Sequence, residues 1–222
     1  MNRLWQLAFG LVGVAVMGLF LSGASVVQAD EVVCTGSLGA VAVDDVRVPD
    51  NATCTLNGTR VEGTVKVERN ATLYANGARI DGNVQAENAT RVNVGANSSV
   101  GGSIQVVQSG AAAIDRVAVN GDIQFESNKQ ALSATNNQVG GNVQAFQNTG
   151  GVTIANNTID GNLQCKGNTP SPTGGNNVVM GSAEDQCANL QGTPPTPTPP
   201  PPTPTPPPTN LPYRFYLPFV KW

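Results

Sequence analysis

The stretch Ile80-Asp81-Gly82-Asn83-Val84-Gln85-Ala86 decides the fold, because variants of it recur along the chain at nearly constant spacing. The glycines at the centres of these copies, which we call the anchor glycines, are 19 or 20 residues apart: Gly63, Gly82, Gly102, Gly121, Gly141, Gly161 and Gly181. An earlier copy, residues 42–48, has Asp44 at the glycine position. A unit of about 20 residues repeated at one period is typical of a solenoid.

Each repeat contains two short segments with β-strand character. The first follows the anchor glycine and alternates apolar and polar residues, as at Val84 and Ala86. The second lies 10–13 residues beyond the glycine, as at Val92 and Val94. The Asn, Gly, Ser and Thr residues between the segments are turn formers. A β-sandwich of hairpins is the alternative, but a sandwich does not need one constant spacing, whereas stacked coils do.

We therefore predict an all-β fold, a single-stranded parallel β-helix of about seven to eight coils of 19–20 residues, spanning residues 30–191. At about 4.8 Å per coil the rod is roughly 35 Å long. Right-handed winding is expected because parallel crossover connections are overwhelmingly right-handed. One inward-facing stack is expected to form the core: Val65, Val84, Ile104, Ile123, Val143 and Leu163.

Amide side chains also recur at equivalent positions. Five glutamines stand three residues after an anchor glycine and should face outward: Gln85, Gln105, Gln124, Gln144 and Gln164. Three asparagines stand four residues before one, at a predicted turn: Asn137, Asn157 and Asn177. Stacked amides can hydrogen-bond along the axis. The glutamines are therefore interpreted either as a regular surface for a repetitive ligand such as a glycan, or as ladders that only stabilise the coils.

The four cysteines fit two disulfides between neighbouring coils. Cys34 and Cys54 are 20 residues apart, and Cys165 and Cys187 are 22 apart, so each pair is separated by about one coil. Cross-pairing would have to span about five coils, roughly 25 Å, which a disulfide does not bridge. We predict Cys34–Cys54 and Cys165–Cys187, which staple the first and last coils.

Composition excludes several kinds of chemistry. The 222-residue chain has no histidine, so Ser-His-Asp and Cys-His catalysis and imidazole metal sites are excluded. Its formal charge of −3 excludes a basic nucleic-acid footprint over the whole chain. The acidic pairs Asp44-Asp45 and Glu184-Asp185 are adjacent in sequence, so their side chains should point to opposite faces of a strand. No catalytic residue, metal ligand or cofactor is predicted.

The two ends of the chain differ from the repeats. Residues 1–29 fit a secretory signal peptide, with an apolar stretch followed by Val27 and Ala29 before the cleavage point; an uncleaved membrane anchor is the alternative. Residues 192–210 form a Pro/Thr-rich linker, expected to be an extended polyproline II stalk. Residues 211–222 form an aromatic tail, a candidate anchor or sorting signal that associates with a membrane or envelope, or a segment that folds back on the domain. The candidate anchor residues are Tyr213, Phe215, Tyr216, Leu217, Phe219 and Trp222.

Several stretches carry a resemblance to known proteins. The stretch Cys54–Thr59, the repeated Gly-Asn-Val-Gln and the block Gly161–Cys187 resemble uncharacterised, secreted bacterial β-helix-like proteins, over about residues 34–187. The Pro/Thr stalk that ends in Tyr216-Leu217-Pro218 is similar to the tails of exported proteins of Chloroflexi-type bacteria. The resemblance implies export and a bacterial source, and it carries no activity or catalytic residue with it.

The sequence predicts a secreted or cell-surface β-helix with a structural, adhesive or glycan-contacting role and no catalytic activity. Its expected partner is an extracellular glycan or cell-wall component, with no nucleic acid. One alternative is a carbohydrate-active enzyme, a polysaccharide lyase or hydrolase that uses clustered carboxylates. Another is a scaffold that self-assembles end to end into polymers.

Overall fold

The structure, a computed structural model, describes residues 31–95 and 97–192 as an all-β parallel solenoid. The predicted signal peptide, the linker beyond Gly192 and the aromatic tail with its candidate anchor residues lie outside the described residues. Within the two described ranges there is no helix that is long and apolar enough to cross a membrane.

Within residues 31–95 and 97–192, the solenoid contains twenty-five short strands. The first eight are β1 (Val32–Val33), β2 (Ser37–Leu38), β3 (Ala42–Val43), β4 (Val46–Val48), β5 (Thr53–Asn57), β6 (Arg60–Val61), β7 (Val65–Val67) and β8 (Thr72–Asn76). The next nine are β9 (Arg79–Ile80), β10 (Val84–Glu87), β11 (Arg91–Val94), β12 (Ser99–Val100), β13 (Ile104–Val107), β14 (Ala111–Asp115), β15 (Ala118–Val119), β16 (Ile123–Glu126) and β17 (Leu132–Thr135). The last eight are β18 (Gln138–Val139), β19 (Val143–Phe146), β20 (Val152–Ala155), β21 (Thr158–Ile159), β22 (Leu163–Lys166), β23 (Thr173–Gly175), β24 (Val178–Val179) and β25 (Ala183–Asp185).

Every third strand belongs to the same sheet, so each coil has three sides. Sheet A runs from β1 to β25 and has nine strands, whereas sheet B, from β2 to β23, and sheet C, from β3 to β24, have eight each. All neighbouring strands pair in parallel, and about seven turns separate the first and last strands. The prediction of a parallel β-helix is confirmed, but the expectation of two strands per coil was wrong. Sheet C was missed because its strands have only two residues, too few for an alternating pattern.

The core is the predicted inward stack. Its six members, Val65, Val84, Ile104, Ile123, Val143 and Leu163, are all fully buried. They occupy equivalent register positions on successive strands of sheet A. Apolar residues from sheets B and C, such as Leu73 and Ile80, fill the rest of the interior. Because a coil is too small to enclose its own core, burial depends on each coil stacking on the next.

The anchor glycines stack directly on one another. Their backbone groups form one continuous column, in which each N–H donates to the carbonyl of the equivalent residue one coil earlier at 2.8–3.0 Å. The first of these hydrogen bonds runs from Gly63 to Asp44, and the last runs from Gly181 to Gly161. A Cβ atom on Gly82 would lie 2.5 Å from the carbonyl oxygen of Gly63. The glycine period therefore reflects close approach of backbone to backbone, and the described residues contain no earlier member of this column for the Asp44 side chain to meet.

The residue after each anchor glycine forms a second column, which we call the turn ladder. Its side-chain oxygens accept the backbone N–H of the equivalent residue one coil later. The acceptors are Asp45, Thr64, Asn83, Ser103, Asp122, Asn142 and Asn162, and the last donor is Ser182. Each of these residues is short and polar, because only a short side chain holds its oxygen close to the backbone of the next coil.

Two buried asparagine columns stabilise the other corners. The predicted set, Asn137, Asn157 and Asn177, lies between sheets B and C and is at most 2% exposed. A second set, Asn128, Asn148 and Asn168, lies between sheets A and B and is at most 4% exposed. Each amide donates to a carbonyl 23 or 22 residues earlier and accepts from the preceding coil. These amides are fully hydrogen-bonded, which offsets the cost of burying them.

Both predicted disulfides are present. Cys34 and Cys54 have a Cα–Cα distance of 5.5 Å, and Cys165 and Cys187 one of 5.3 Å. The second disulfide joins the last full coil to a turn that closes the C-terminal end. In that turn the side chain of Gln186 accepts from Asn168, and the carbonyl of Leu190 accepts from Asn177, so both asparagine columns are terminated. Two disulfides in one chain are compatible with an extracellular location.

Candidate functional site

The outward face of sheet A carries the five predicted glutamines as a single row, which we call the glutamine row. Gln85, Gln105, Gln124, Gln144 and Gln164 are direct register partners on β10, β13, β16, β19 and β22. Lys66 precedes the row and Glu184 follows it. All five side chains are partly or fully exposed, as expected from the alternation of the strands.

Hydrogen bonds along the glutamine row form two separate segments. In the first, Gln105 Nε2 donates to Gln124 Oε1 at 3.4 Å, and Gln124 Nε2 donates to Glu126 Oε2 at 3.2 Å. In the second, Gln144 Nε2 donates to Gln164 Oε1, and Gln164 Nε2 donates to Glu184 Oε2, both at 2.9 Å. Among the described residues, none joins Gln85 to Gln105 or Gln124 to Gln144. The predicted ladder is therefore only partial, and at the second of these steps Gln124 turns sideways to a carboxylate on its own strand.

A second outward row runs beside the first, two residues further along each strand. Its members are Glu87, Val107, Glu126, Phe146 and Lys166. Of the three aromatic residues in the described ranges, Phe125 is buried, whereas Tyr74 on sheet B and Phe146 on sheet A face outward. Sheet A thus presents amides, both signs of charge and one aromatic ring on a single surface.

The N-terminal half of this face contains a shallow depression of about 940 Å³. Its polar lining comes from Lys66, Glu68, Arg69, Gln85, Glu87 and Gln105, and Val107 supplies part of the apolar lining. Gln85 and Gln105 therefore belong both to the depression and to the glutamine row. The depression and the row form one continuous surface along the rod, rather than two separate sites.

Ion pairs organise the charges at the rim of this depression. Arg47 lies between Glu31, at 2.7 Å, and Glu68, at 3.7 Å, and the hydrogen bond to Glu31 raises the pKa of the guanidinium. Lys66 lies 3.8 Å from Glu68. Positive and negative groups are thus interleaved, and a ligand on this face meets no large field of one sign.

The other shifted pKa values belong to ion pairs and hydrogen bonds away from sheet A. Hydrogen bonding to Arg79, helped by the charges of Arg79 and Arg60, lowers the pKa of Asp81. Hydrogen bonds from Asn136 and Thr135 and the charge of Arg116 lower the pKa of Asp115. Both shifts favour the ionised carboxylate, so these groups act as fixed charges near neutral pH.

In each acidic pair considered in the sequence, at least one carboxylate has a structural partner. Asp45 accepts the backbone N–H of Thr64, and Glu184 ends the glutamine row. Sequence reasoning missed a different pair, Glu68 and Glu87, which line the depression from equivalent positions on adjacent coils. The sequence could have indicated this pair, because Glu68 and Glu87 are 19 residues apart, which is the length of one coil. Within residues 31–95 and 97–192, no group of three or more His, Cys, Asp or Glu side chains is placed to hold a metal ion.

Comparison with protein-family models, curated proteins and solved structures finds no match to this chain.

Proposed function

We propose that this protein is an exported, non-catalytic β-helix that makes structural or adhesive contacts at the cell surface by binding glycans along the outward face of sheet A. The two disulfides, the signal-like residues 1–29 and the Pro/Thr stalk support an extracytoplasmic site of action. The aromatic tail would hold the rod at the envelope. The resemblance to secreted bacterial β-helix-like proteins supports the same location.

The observation that carries the proposal is the glutamine row itself. The same outward residue occurs on five consecutive coils, whereas the equivalent outward row of sheet B varies: Thr55, Tyr74, Asn93, Ala113, Ser133, Thr153 and Thr173. Yet only two of the four steps in the glutamine row are joined by hydrogen bonds. The buried asparagine columns, in contrast, are continuous. Coil stacking therefore does not require the glutamines, and the amide donors and acceptors that they do not use along the row, such as Gln144 Oε1, are available to sugar hydroxyls.

The test is retention of the exported protein on insoluble cell-wall polysaccharide. We expect the double variant Gln144→Ala/Gln164→Ala to bind about tenfold more weakly, because two neutral hydrogen bonds are worth roughly 0.5–1.5 kcal/mol each. The matched control is Thr153→Ala/Thr173→Ala on sheet B, which should bind like the wild type. Equal weakening by both variants, or no retention of the wild type, would contradict the proposal.

A carbohydrate-active enzyme is the second candidate, and the Glu68 and Glu87 pair favours it. Equivalent positions on adjacent coils place their Cα atoms about 4.8 Å apart, and two carboxylates at short range beside a groove are the groups that glycoside hydrolysis uses. If this candidate is correct, the wild-type protein shortens polysaccharide chains and Glu87→Gln loses that activity at least a hundredfold. New reducing ends, or unsaturated ends in the case of a lyase, would reveal the cleavage.

A further inference from the structure

Two steps of the glutamine row lack a hydrogen bond, and the one between Gln124 and Gln144, which we call the interruption, lies beside the one outward aromatic ring on the described part of sheet A. Gln124 donates to Glu126 rather than to the next coil. Gln144 begins the second segment, and within the described residues its Oε1 accepts no hydrogen bond, whereas Gln164 Oε1 does accept one. Phe146 is two residues beyond Gln144 on β19, so both side chains leave the same face of the strand.

This neighbourhood also contains groups of both charges. In the row that contains Phe146, its register partners are Glu126 on one side and Lys166 on the other. One carboxylate and one ammonium flank the ring, so the surroundings of Phe146 carry no net charge. A partly exposed aromatic ring beside an open amide carbonyl and a carboxylate combines an apolar platform with hydrogen-bond acceptors.

The strand that carries Phe146 has no free backbone edge. β19 pairs with β16 on one side and with β22 on the other, so its backbone hydrogen bonds are used within the sheet. A peptide cannot add to this position as a further strand. Any ligand here must be recognised through side chains alone, which suits a molecule rich in hydroxyl groups.

We propose that Phe146, Gln144 and Glu126 form a subsite for one pyranose ring of an uncharged glycan. The apolar C–H face of the sugar stacks on the phenyl ring, whose π face is negative. The ring hydroxyls donate to Gln144 Oε1, which accepts no hydrogen bond within the described residues, and to the carboxylate of Glu126. This subsite rests on the proposed function and names the position and class of ligand within it.

The direction of the bound chain follows from the rows. Outward side chains repeat about every 4.8 Å along the rod, a distance comparable to the length of one sugar ring. A linear glycan that runs parallel to the rod axis therefore meets about one glutamine per sugar ring. When one ring lies on Phe146, the next ring lies on Gln164 and Lys166 of the following coil. A glycan that crosses the rod would leave the face of sheet A after one or two rings, because each strand has four residues at most.

The test compares variants of the full-length exported protein by calorimetric titration with soluble, linear neutral oligosaccharides and with acidic ones. We expect Phe146→Ala and Phe146→Leu to weaken binding of a neutral oligosaccharide at least tenfold, and Phe146→Trp to retain or strengthen it. The leucine variant keeps an apolar side chain of similar bulk but removes the flat π face. Tyr74→Ala, which removes the outward aromatic of sheet B, is the matched control and should bind like the wild type.

The outcomes separate this subsite from the broader function. If the wild type binds a glycan and the Phe146 variants bind it equally well, the subsite is wrong although glycan contact stands. Binding of acidic oligosaccharides alone would overturn the assignment of an uncharged ligand. If the wild type binds neither class and is not retained on cell-wall polysaccharide, the proposed function itself fails. Thermal unfolding of each variant is measured as the control for folding, and we expect a midpoint close to that of the wild type, because the substituted side chain faces outward.

Discussion

Replacing Asn148 by alanine is expected to lower the free energy of unfolding by about 3–5 kcal/mol, because it leaves several buried polar groups without partners. Asn148 Oδ1 accepts both the backbone N–H and the Nδ2 of Asn128, at 3.0 Å each. Its Nδ2 donates to the carbonyl of Phe125 at 3.0 Å and to Asn168 Oδ1 at 2.9 Å. The side chain is fully buried, so water does not replace these bonds. Urea denaturation measures the change.

Two further variants make this expectation specific. Asn148→Ser should lose less stability than Asn148→Ala, since Ser109 already plays the acceptor role in this column with a hydroxyl, at 3.0 Å from the backbone N–H of Ala89. Gln138→Ala removes an amide from an exposed position of sheet C and should change the free energy by less than about 0.5 kcal/mol. A loss below about 1 kcal/mol for Asn148→Ala would mean that the asparagine columns do not stabilise the rod.

The one-coil repeat could be read from the sequence because it depends on a backbone requirement. Wherever two coils touch at the anchor position, a side chain does not fit, so glycine recurs regardless of what surrounds it. Cysteine pairing followed from the same period, since residues one coil apart are neighbours. The asparagines Asn137, Asn157 and Asn177 were predicted at a turn for the same reason. The structure adds that these amides are buried and are hydrogen-bonded on both sides.

Two features needed the structure because they depend on side-chain direction rather than on period. Phe125 is four residues after its anchor glycine, Gly121, whereas Phe146 is five residues after Gly141. A shift of one residue moves a side chain from the core to the surface, so Phe125 is buried and Phe146 faces outward. The interruption of the glutamine row likewise depends on the conformer of Gln124, which turns toward Glu126. No sequence pattern specifies that choice.

The column Asn128, Asn148 and Asn168 was missed although its members are 20 residues apart, seven positions beyond successive anchor glycines. The equivalent residues in earlier coils are Ser109 and Ala89, so the position is asparagine in only part of the rod. Ala89 and Ser109 are nevertheless members of the same column, with the backbone N–H of each donating to the side chain one coil later. A hydrogen-bonding role that is shared by different residue types is harder to recognise in a sequence than one residue type at a fixed spacing, so this column was missed.

Replacing Gly161 by alanine tests the anchor column and is expected to cost about 3 kcal/mol of stability, because a new methyl group would overlap atoms that cannot move. A Cβ atom at this position would lie 2.7 Å from the carbonyl oxygen of Gly141 and 2.8 Å from its carbonyl carbon. Backbone hydrogen bonds of 2.9 Å to Gly141 and 3.0 Å from Gly181 hold the coil on both sides. The strain must therefore be relieved by separating coils, which breaks the neighbouring turn ladder at Asn142 and Asn162 as well.

The matched control is Gly39→Ala in the first coil, where a Cβ atom would have no neighbour within 4 Å. This substitution should be neutral or stabilise the protein by a few tenths of a kcal/mol, since alanine restricts the unfolded chain more than glycine does. Gly161→Val should be worse than Gly161→Ala, because its branched side chain adds two methyl groups to the same contact. Equal denaturation midpoints for Gly161→Ala and Gly39→Ala would show that the period of the anchor glycines does not arise from close packing of the backbone, and that some other property of glycine selects it.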